Sequence, residues 1–359
     1  MIPSLRPSLV SLAACGLLAG FAGAQQQLTV GPGQQFGTIP AAIHAASPGD
    51  TILVQPGTYG GFVVSKGVRI IGRNALIVGG GVFGTVLVQG VPAGESFALV
   101  GFGVDAPGDC QVVNCRGQVA LRDLHQGGGF PWGLQVFGSD QVHVAASPLR
   151  NGGVTDSTVV LEGCSMDPSV LMGLQVSGGV TVLESCTVRG STGPFTGPGV
   201  QLNRGTLVAT GSTIRGTGSS PAIRAIDGQM LLDPSVTLIA DPGIATIVGP
   251  VTPVPFAFAS QSAGTDGVQL SIQGQGLAGG VFGMLVSQPG PQTPTPIGVS
   301  WLDPGSAALL YFDTWAPDRS HTRTIPHPPL PPGLTITLQV LYAQPSGLAL
   351  GTPSVVVVP

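Results

Sequence analysis

The chain has 359 residues, of which 43% are hydrophobic and only 8% are charged. This composition argues against an intrinsically disordered protein, because disorder accompanies low hydrophobicity and high charge. The formal net charge of −4 leaves no basic excess, so nucleic acid is not expected as a partner. The length is sufficient for two domains with a large core.

Residues 1–24 have the pattern of a signal peptide. Arg6 precedes an apolar stretch at positions 9–21, and three small residues at positions 22–24 form a cleavage site. This pattern predicts a secreted, extracellular or cell-surface protein. The alternative is a lipoprotein anchored at Cys15, which ends a Leu-Ala-Ala-Cys motif, but the apolar run continues past Cys15 and favours plain secretion. No other stretch reaches the ~18 apolar residues that a membrane span needs.

The next informative segment covers residues 37–59. A short apolar helix at positions 39–46 leads into Ser-Pro-Gly-Asp, an apolar strand at 51–54 and then Pro-Gly-Thr-Tyr. This succession resembles the opening of the pectin-lyase-like right-handed parallel β-helices, a superfamily that includes pectate lyases and pectinesterases. The resemblance implies an all-β chain that winds into a single-stranded, right-handed parallel β-helix, with the short helix covering its N-terminal end. That helix is expected to hide strand edges and interior apolar residues.

An internal repeat supports the same fold. Alternating apolar residues predict short strands, and each unit ends at one of seven equivalent apolar residues, spaced 17 to 26 residues apart: Val104, Leu124, Leu149, Met166, Val188, Ile214 and Leu238. A second recurring strand reads Gly-Leu-Gln-Val at positions 133–136 and 173–176. One coil therefore contains three short strands and Gly-rich corners, and stacked coils bury a common core. The predicted β-helix domain covers residues 25–248.

The coil register is lost in the Pro-rich segment 249–255, where the second domain is expected to begin. Residues 249–359 contain strand-like runs separated by Gly and Pro turns, at positions 268–272, 281–286, 308–312, 334–342 and 355–358. Several short strands at this spacing predict a small antiparallel β-sandwich. Residues 333–340 and 347–350 resemble the terminal β-domain of planctomycete-type secreted proteins.

Four cysteines remain after the predicted cleavage. Cys164 and Cys186 hold the same position in neighbouring coils, where parallel strands lie about 4.8 Å apart, so either a disulfide or an interior pair of free thiols fits. Cys110 and Cys115 are close enough in sequence for a disulfide that closes one loop. A zinc site is disfavoured because no Cys-x-x-Cys motif occurs.

Glu162 and Glu184 also occupy equivalent corner positions on adjacent coils. Two stacked carboxylates could act as a weak candidate acid/base pair or bind Ca²⁺. The interpretation that the sequence favours is that both are solvated corner residues, and no other cofactor is expected.

One position past the repeat anchors lies a series of polar residues: Asp105, His125, Arg150, Asp167, Arg189 and Arg215. They are expected to stack on one edge of the β-helix, with Trp132 in a long corner nearby. Local charge compensation would explain them at little energetic gain. Alternatively, arginine side chains on this edge bind the carboxylates or sulfates of an acidic glycan, and Trp132 stacks on a sugar ring.

The catalytic motifs of the pectin-degrading enzymes in this superfamily are absent from the sequence. The Gln-Asp-Thr motif of pectinesterases and the Asn-Thr-Asp and Gly-His-Gly motifs of polygalacturonases do not occur. The sequence therefore predicts a non-catalytic surface or matrix protein that binds polysaccharide or another cell-wall polymer along the polar edge. Two alternatives remain: a polysaccharide lyase or glycoside hydrolase with an atypical site near Glu162, Glu184, Arg189 and Arg215, and an adhesion or assembly module that binds protein.

Overall fold

A computed structural model describes residues 26–78, 86–105, 110–126, 133–167, 172–191, 196–232, 235–253, 257–264, 267–274, 280–315, 320–325, 335–344 and 347–357. The chain forms two compact units, one at Gln26–Val254 and one that contains residues 255–359. The first is a parallel β-solenoid of about eight turns and the second is antiparallel. The predicted all-β fold, a parallel β-helix followed by a small antiparallel β module, is confirmed.

The solenoid begins with a capping helix and its first coils. Helix α1 covers Ile39–Ala45, and Thr38 caps it by accepting the Ala41 N–H at its Oγ1 (3.3 Å). Ile39, Ala42 and Ile43 are buried in the solenoid core, as the capping prediction requires. The strands of this part are β1 (Gln27–Val30), β2 (Thr51–Val54), β3 (Gly57–Gly60), β4 (Phe62–Val64), β5 (Arg69–Val78), β6 (Val86–Gln89) and β7 (Ser96–Asp105).

The remaining coils repeat the same plan. Their strands are β8 (Cys110–Val113), β9 (Gln118–Arg122), β10 (His125–Gln126), β11 (Leu134–Phe137), β12 (Gln141–Ala145), β13 (Pro148–Leu149), β14 (Gly152–Glu162), β15 (Ser165–Met166), β16 (Leu174–Glu184), β17 (Thr187–Arg189), β18 (Val200–Thr210), β19 (Thr213–Arg215), β20 (Ile223–Ala225), β21 (Gln229–Leu232), β22 (Thr237–Ile239), β23 (Ile247–Val248) and β24 (Val251–Pro253).

The stacked strands form three parallel faces, here called sheets 1, 2 and 3. Sheet 1 contains β4, β6, β8, β11, the first parts of β14, β16 and β18, then β20 and β23. Sheet 2 contains β1, β2, the first parts of β5 and β7, then β9, β12, the second parts of β14, β16 and β18, and β21 and β24. Sheet 3 contains β3, the second parts of β5 and β7, β10, β13, β15, β17, β19 and β22.

The core runs through the solenoid because alternate residues of every strand point inward. In sheet 2, for example, Val144, Leu161 and Leu183 are level with one another and fully buried. At about 25 cal/mol per Å² of apolar surface removed from water, such stacking is the main stabilising term. No coil could bury this surface without its neighbours.

Four of the predicted repeat equivalences are confirmed by the register: Leu149 pairs with Met166, Met166 with Val188, Val188 with Ile214, and Ile214 with Leu238. The equivalence of Leu124 with Val104 is wrong, since Gln126 is the residue paired with Val104. Leu124 is buried like the true anchors. A shift of two residues keeps a side chain on the same face of a strand, so alternation alone does not detect it.

The solenoid also extends past its predicted end at residue 248. Val251–Pro253 pairs in parallel register with Met230–Leu232 of β21. The prolines at 250 and 253, which suggested a linker, therefore lie at or beside a terminal strand, where a missing N–H is tolerated. The second unit begins after Val254.

The C-terminal unit is antiparallel, as predicted. Its strands are β25 (Ala257–Gly264), β26 (Gly267–Gly274), β27 (Val281–Ser287), β28 (Pro289–Thr295), β29 (Gly298–Leu302), β30 (Ala308–Thr314), β31 (Ser320–Ile325), β32 (Thr335–Gln344) and β33 (Gly347–Val357). They form a three-stranded sheet, a four-stranded sheet and a hairpin. The four-stranded sheet is stabilised by its own apolar cluster, in which the Phe282 and Trp315 rings lie 4.3 Å apart. In the described part of the chain, no helix has the length and apolarity required to cross a membrane.

Candidate functional site

The polar edge predicted from the sequence lies on the outer side of sheet 3. Arg189 of β17 is level with Arg215 of β19, and Asp167 follows the Leu149–Met166 pair by one residue, level with Arg150. Arg150, Asp167, Arg189 and Arg215 are called the charged row below. Neighbouring members are separated by the inter-strand distance of about 4.8 Å.

The charged row is accessible and has a positive excess. Arg189 Nη1 lies 3.9 Å from Asp167 Oδ1, and the two side chains are 41% and 70% exposed. An ion pair this open contributes little to stability. Arg215 is exposed on the far side of Arg189, and the next residue in the row is the half-buried Ile239. Among these four residues, three guanidinium groups thus stand beside one carboxylate.

A second row, of hydroxyl groups, runs beside the charged row. Ser165, Thr187, Thr213 and Thr237 are mutually in register and exposed or half-exposed, and they form what is called the hydroxyl row. The first three lie two residues before members of the charged row, and Thr237 lies two residues before Ile239, each on the same outward side of its strand. The sequence analysis missed this row, although a Ser or Thr stands directly before four successive repeat anchors. That position is the signal that would have found it.

His125 is not in the charged row, which corrects the prediction. Arg122 pairs with Ala145, and Leu124 accordingly donates its N–H to Ser147 Oγ (3.2 Å). His125 is therefore level with Pro148, in line with the hydroxyl row, and it is exposed. Asp105 follows Val104, which is level with Gln126, so Asp105 keeps a place in line with Arg150. The predicted aromatic contact, Trp132, lies outside the described residues.

Glu162 and Glu184 are adjacent and in register, as predicted, but they are not solvated corner residues. Glu162 is 6% exposed and Glu184 is fully buried. Both side chains point away from the solenoid core, on the outer face of sheet 2. That face is itself buried, with Val160 and Ala145 no more than 1% exposed. The error arose because a corner position suggests solvent, whereas the outer face of sheet 2 is shielded along most of its length.

A buried histidine accompanies the two carboxylates. His143 Nε2 lies 3.1 Å from Glu162 Oε2, and the imidazole is 1% exposed. A polymer cannot reach carboxylates at this depth, so the arrangement gives little support to an acid/base pair that acts on a glycan. Ca²⁺ prefers six to eight oxygen ligands, and here one Glu162 oxygen already faces an imidazole nitrogen. Within the described ranges, no cluster of three or more His, Cys, Asp or Glu side chains is arranged to hold a metal ion.

All four described cysteines are free thiols buried within the solenoid. Cys164 and Cys186 stand where Ser147 and Ser212 stand in the flanking coils, at the corner between sheets 2 and 3. Ser212 Oγ accepts the Cys186 N–H (3.0 Å), and Cys186 Sγ faces Leu161 O (3.1 Å). Small polar side chains thus satisfy backbone groups at this corner, which explains the preference for Ser and Cys there.

Cys110 and Cys115 are likewise thiols and do not form the disulfide that would close a loop. Cys110 lies inside sheet 1, paired with Val86 and Leu134. Cys115 lies at the following corner, with its Sγ directed at Val113 O (3.5 Å). Neither cysteine pair is cross-linked in this structure.

Native protein is therefore expected to resist a water-soluble thiol reagent at neutral pH, while the unfolded chain reacts at all four of these cysteines without prior reduction. Burial raises the pKa of the Cys186 and Cys115 thiols, so little reactive thiolate forms. By the same linkage, their contribution to stability is present at neutral pH and lost as the pH rises through the raised folded pKa. Thiol titration of native and denatured protein checks the first point. Fewer than four reactive thiols after denaturation would instead indicate a disulfide.

No protein-family model matches the sequence, and no curated protein matches it either. The functional interpretation therefore depends on the geometry of the solenoid faces.

Proposed function

We propose that the protein is a secreted surface or matrix module that binds an acidic polysaccharide along the charged and hydroxyl rows of sheet 3. The observation on which this depends is the register of Arg189 with Arg215, next to a line of Ser and Thr hydroxyls. The predicted export signal and the resemblance of residues 37–59 to pectin-lyase-like β-helices support an extracellular role among polymers. Fold alone would not be sufficient, because one scaffold serves many functions.

The chemistry of the two rows suits a chain with repeated anionic and hydroxyl groups. A guanidinium binds carboxylate or sulfate through two parallel hydrogen bonds, and Ser and Thr hydroxyls can both donate to and accept from sugar hydroxyls. Because the rows repeat at about 4.8 Å along a stiff axis, a linear ligand meets equivalent groups over several coils. Many weak contacts then act together on one polymer.

The alternative of a lyase or hydrolase is less well supported. Its candidate acid/base residues, Glu162 and Glu184, are buried on sheet 2, whereas Arg189 and Arg215 belong to sheet 3. The alternative of a protein-binding adhesion module predicts binding that does not depend on glycan charge, and the experiment below separates it from the proposal.

Replacing Arg189 and Arg215 together by alanine is expected to weaken binding of polygalacturonate or a sulfated galactan at least tenfold. Each arginine supplies charge-assisted hydrogen bonds to the anion, and the wild-type affinity should itself fall with added salt because the groups are exposed. Retardation in gels that contain the glycan measures the affinity, and absorbance at 235 nm together with a reducing-end assay detects any product.

Arg116→Ala is the matched control, since Arg116 is exposed in a different corner and pairs with Asp140 at 3.1 Å. It should leave binding unchanged. Equal binding by the double variant and the wild type, or accumulation of cleaved glycan, would contradict the proposal. Binding of neither glycan, with capture of a protein instead, would favour the adhesion module.

A further inference from the structure

The outer face of sheet 1 has a row of amide side chains that the proposed function does not use. Nine residues of successive coils are in register, one per strand: Val63, Leu87, Gln111, Gln135, Gly153, Gln175, Gln201, Arg224 and Val248. All are exposed or half-exposed. This set is called the amide row. It is a different surface from the charged row, which lies on sheet 3.

The amide row and the row beside it are nearly uncharged. The adjacent outward row is Gln89, Val113, Phe137, Thr155 and Ser177, followed by Arg204 at a register shift. Neither row contains a carboxylate, and the two arginines, Arg204 and Arg224, lie towards the C-terminal end of the solenoid. Depletion of charge and exposed large apolar side chains, here Val63 (52%), Val248 (47%) and Phe137 (39%), are features of the central part of protein interfaces.

Several polar groups of this face contact their neighbours on the same face. Gln201 Nε2 donates to Asn203 Oδ1 (2.9 Å), and Asn203 Nδ2 donates to Ser177 Oγ (3.2 Å). The amide of Gln135 lies over Gly153, where a Cβ atom would overlap it. These side chains are thus positioned before any partner arrives, which lowers the entropic cost of association.

The amide row is nearly symmetric in chemistry about Gly153, and the single unlike pair is Leu87 with Arg224. One coil away on either side stand Gln135 and Gln175, two coils away Gln111 and Gln201, three coils away Leu87 and Arg224, and four coils away Val63 and Val248. A two-fold axis along the strand direction at Gly153 superposes these positions on each other. An isologous interface requires such self-complementarity of a single surface.

We infer that the amide row is a self-association surface, through which two copies of this chain pack with their solenoid axes antiparallel. Glutamines then face glutamines and can exchange amide hydrogen bonds, because each amide has both donors and an acceptor. Val63 meets Val248 of the second copy, and Leu87 covers the aliphatic stem of Arg224. With parallel axes, Arg204 and Arg224 of both copies would gather at one end and repel each other. The antiparallel arrangement places the two arginine pairs at opposite ends.

The size of the face sets the expected strength. Nine strands and two rows give a patch about 38 Å long and about 10 Å wide. The total buried area of about 800 Å² is below the standard size of stable interfaces. A weak dimer, present at high concentration and dissociating on dilution, is therefore expected.

The test is sedimentation velocity of the full-length mature protein over a range of concentrations, with two double variants. Gln135→Lys/Gln175→Lys places like charges opposite each other and should raise the dimer dissociation constant at least tenfold. Gln135→Glu/Gln175→Lys places Glu opposite Lys across the antiparallel axis and should keep or strengthen the dimer. With parallel axes, this second variant would place like charges at the same level and weaken the dimer as well.

Thr213→Lys/Thr237→Lys adds the same charge to the hydroxyl row of sheet 3 and should leave the dimer unchanged. Circular dichroism and thermal unfolding establish that each variant is folded. A wild-type protein that is monomeric at every concentration overturns the inference. A dimer equally weakened by both sheet 1 variants, or unaffected by them, overturns it as well. The inference is also overturned if the protein is a monomer that uses this face to bind an uncharged glycan.

Discussion

Replacing Glu162 by alanine is expected to lower the free energy of unfolding by about 2 kcal/mol, because removing one partner of a buried hydrogen bond leaves the other polar group unsatisfied. The remaining group is His143, which is 1% exposed and lies 3.1 Å from the Glu162 carboxylate. The truncation also leaves a cavity on the shielded face of sheet 2. Urea denaturation measures the loss. Glu162→Gln keeps an oxygen acceptor at nearly the same volume and should recover part of the stability.

The control is the exposed pair of Arg116 and Asp140, whose side chains are 70% and 43% exposed. Asp140→Ala should change the free energy of unfolding by no more than about 0.5 kcal/mol, since solvent screens such a pair. An equally small change for Glu162→Ala would mean that Glu162 is solvated in solution, as the sequence suggested. A gain in stability would show that repulsion between Glu162 and the adjacent Glu184 outweighs the contact with His143.

Gly216→Ala is expected to destabilise the protein by about 2 to 3 kcal/mol, the range for overpacking where the surroundings cannot yield. A Cβ atom at Gly216 would overlap the backbone carbonyl groups of Ser220 and Pro221. Because the overlap is with backbone atoms, rotation of a side chain cannot relieve it. The Gly216 N–H also donates to Ile239 O (2.9 Å), which links this corner to the next coil. Thermal and urea unfolding, compared with the wild type, measure the effect.

Gly60→Ala provides the comparison for this substitution. Gly60 lies in strand β3 with no atom within 4 Å of a built Cβ and without a positive φ angle. Its replacement should stay within about 0.5 kcal/mol of the wild type. If Gly216→Ala changed the free energy of unfolding as little as Gly60→Ala, the corner at residues 216–221 would have to be free to move. Arg215, which precedes this corner, would then not be held in a defined row.

The candidate site was predictable from sequence in part. Arg150, Asp167, Arg189 and Arg215 follow apolar anchors whose register the structure confirms, so their stacking could be read from the repeat. His125 was misplaced because the apolar Leu124 stands two residues before Gln126, which is the residue level with Val104, and a shift of two residues preserves the inward and outward alternation. The hydroxyl row was readable in principle, because a Ser or Thr directly precedes each anchor from Met166 to Leu238.

Other features of the molecule depended on contacts that no repeat encodes. The burial of Glu162 and Glu184 results from shielding of the outer face of sheet 2, and the repeat specifies only that the two residues are level with each other. The amide row was also not predictable from the repeat, because each Gln has the pattern of an ordinary solvent-facing residue of its strand. Its symmetry about Gly153 appears only when nine strands are placed in register.

By itself, the sequence determined that the chain winds into stacked coils, because alternating apolar residues at a repeating interval can be buried only by neighbouring copies of the same unit. It also determined which side chains point inward, since that depends on local alternation. Only the tertiary structure decided which outward residues of different coils become neighbours and which outer face is shielded. Corner lengths set the register between coils, and local alternation does not specify which outward positions are buried.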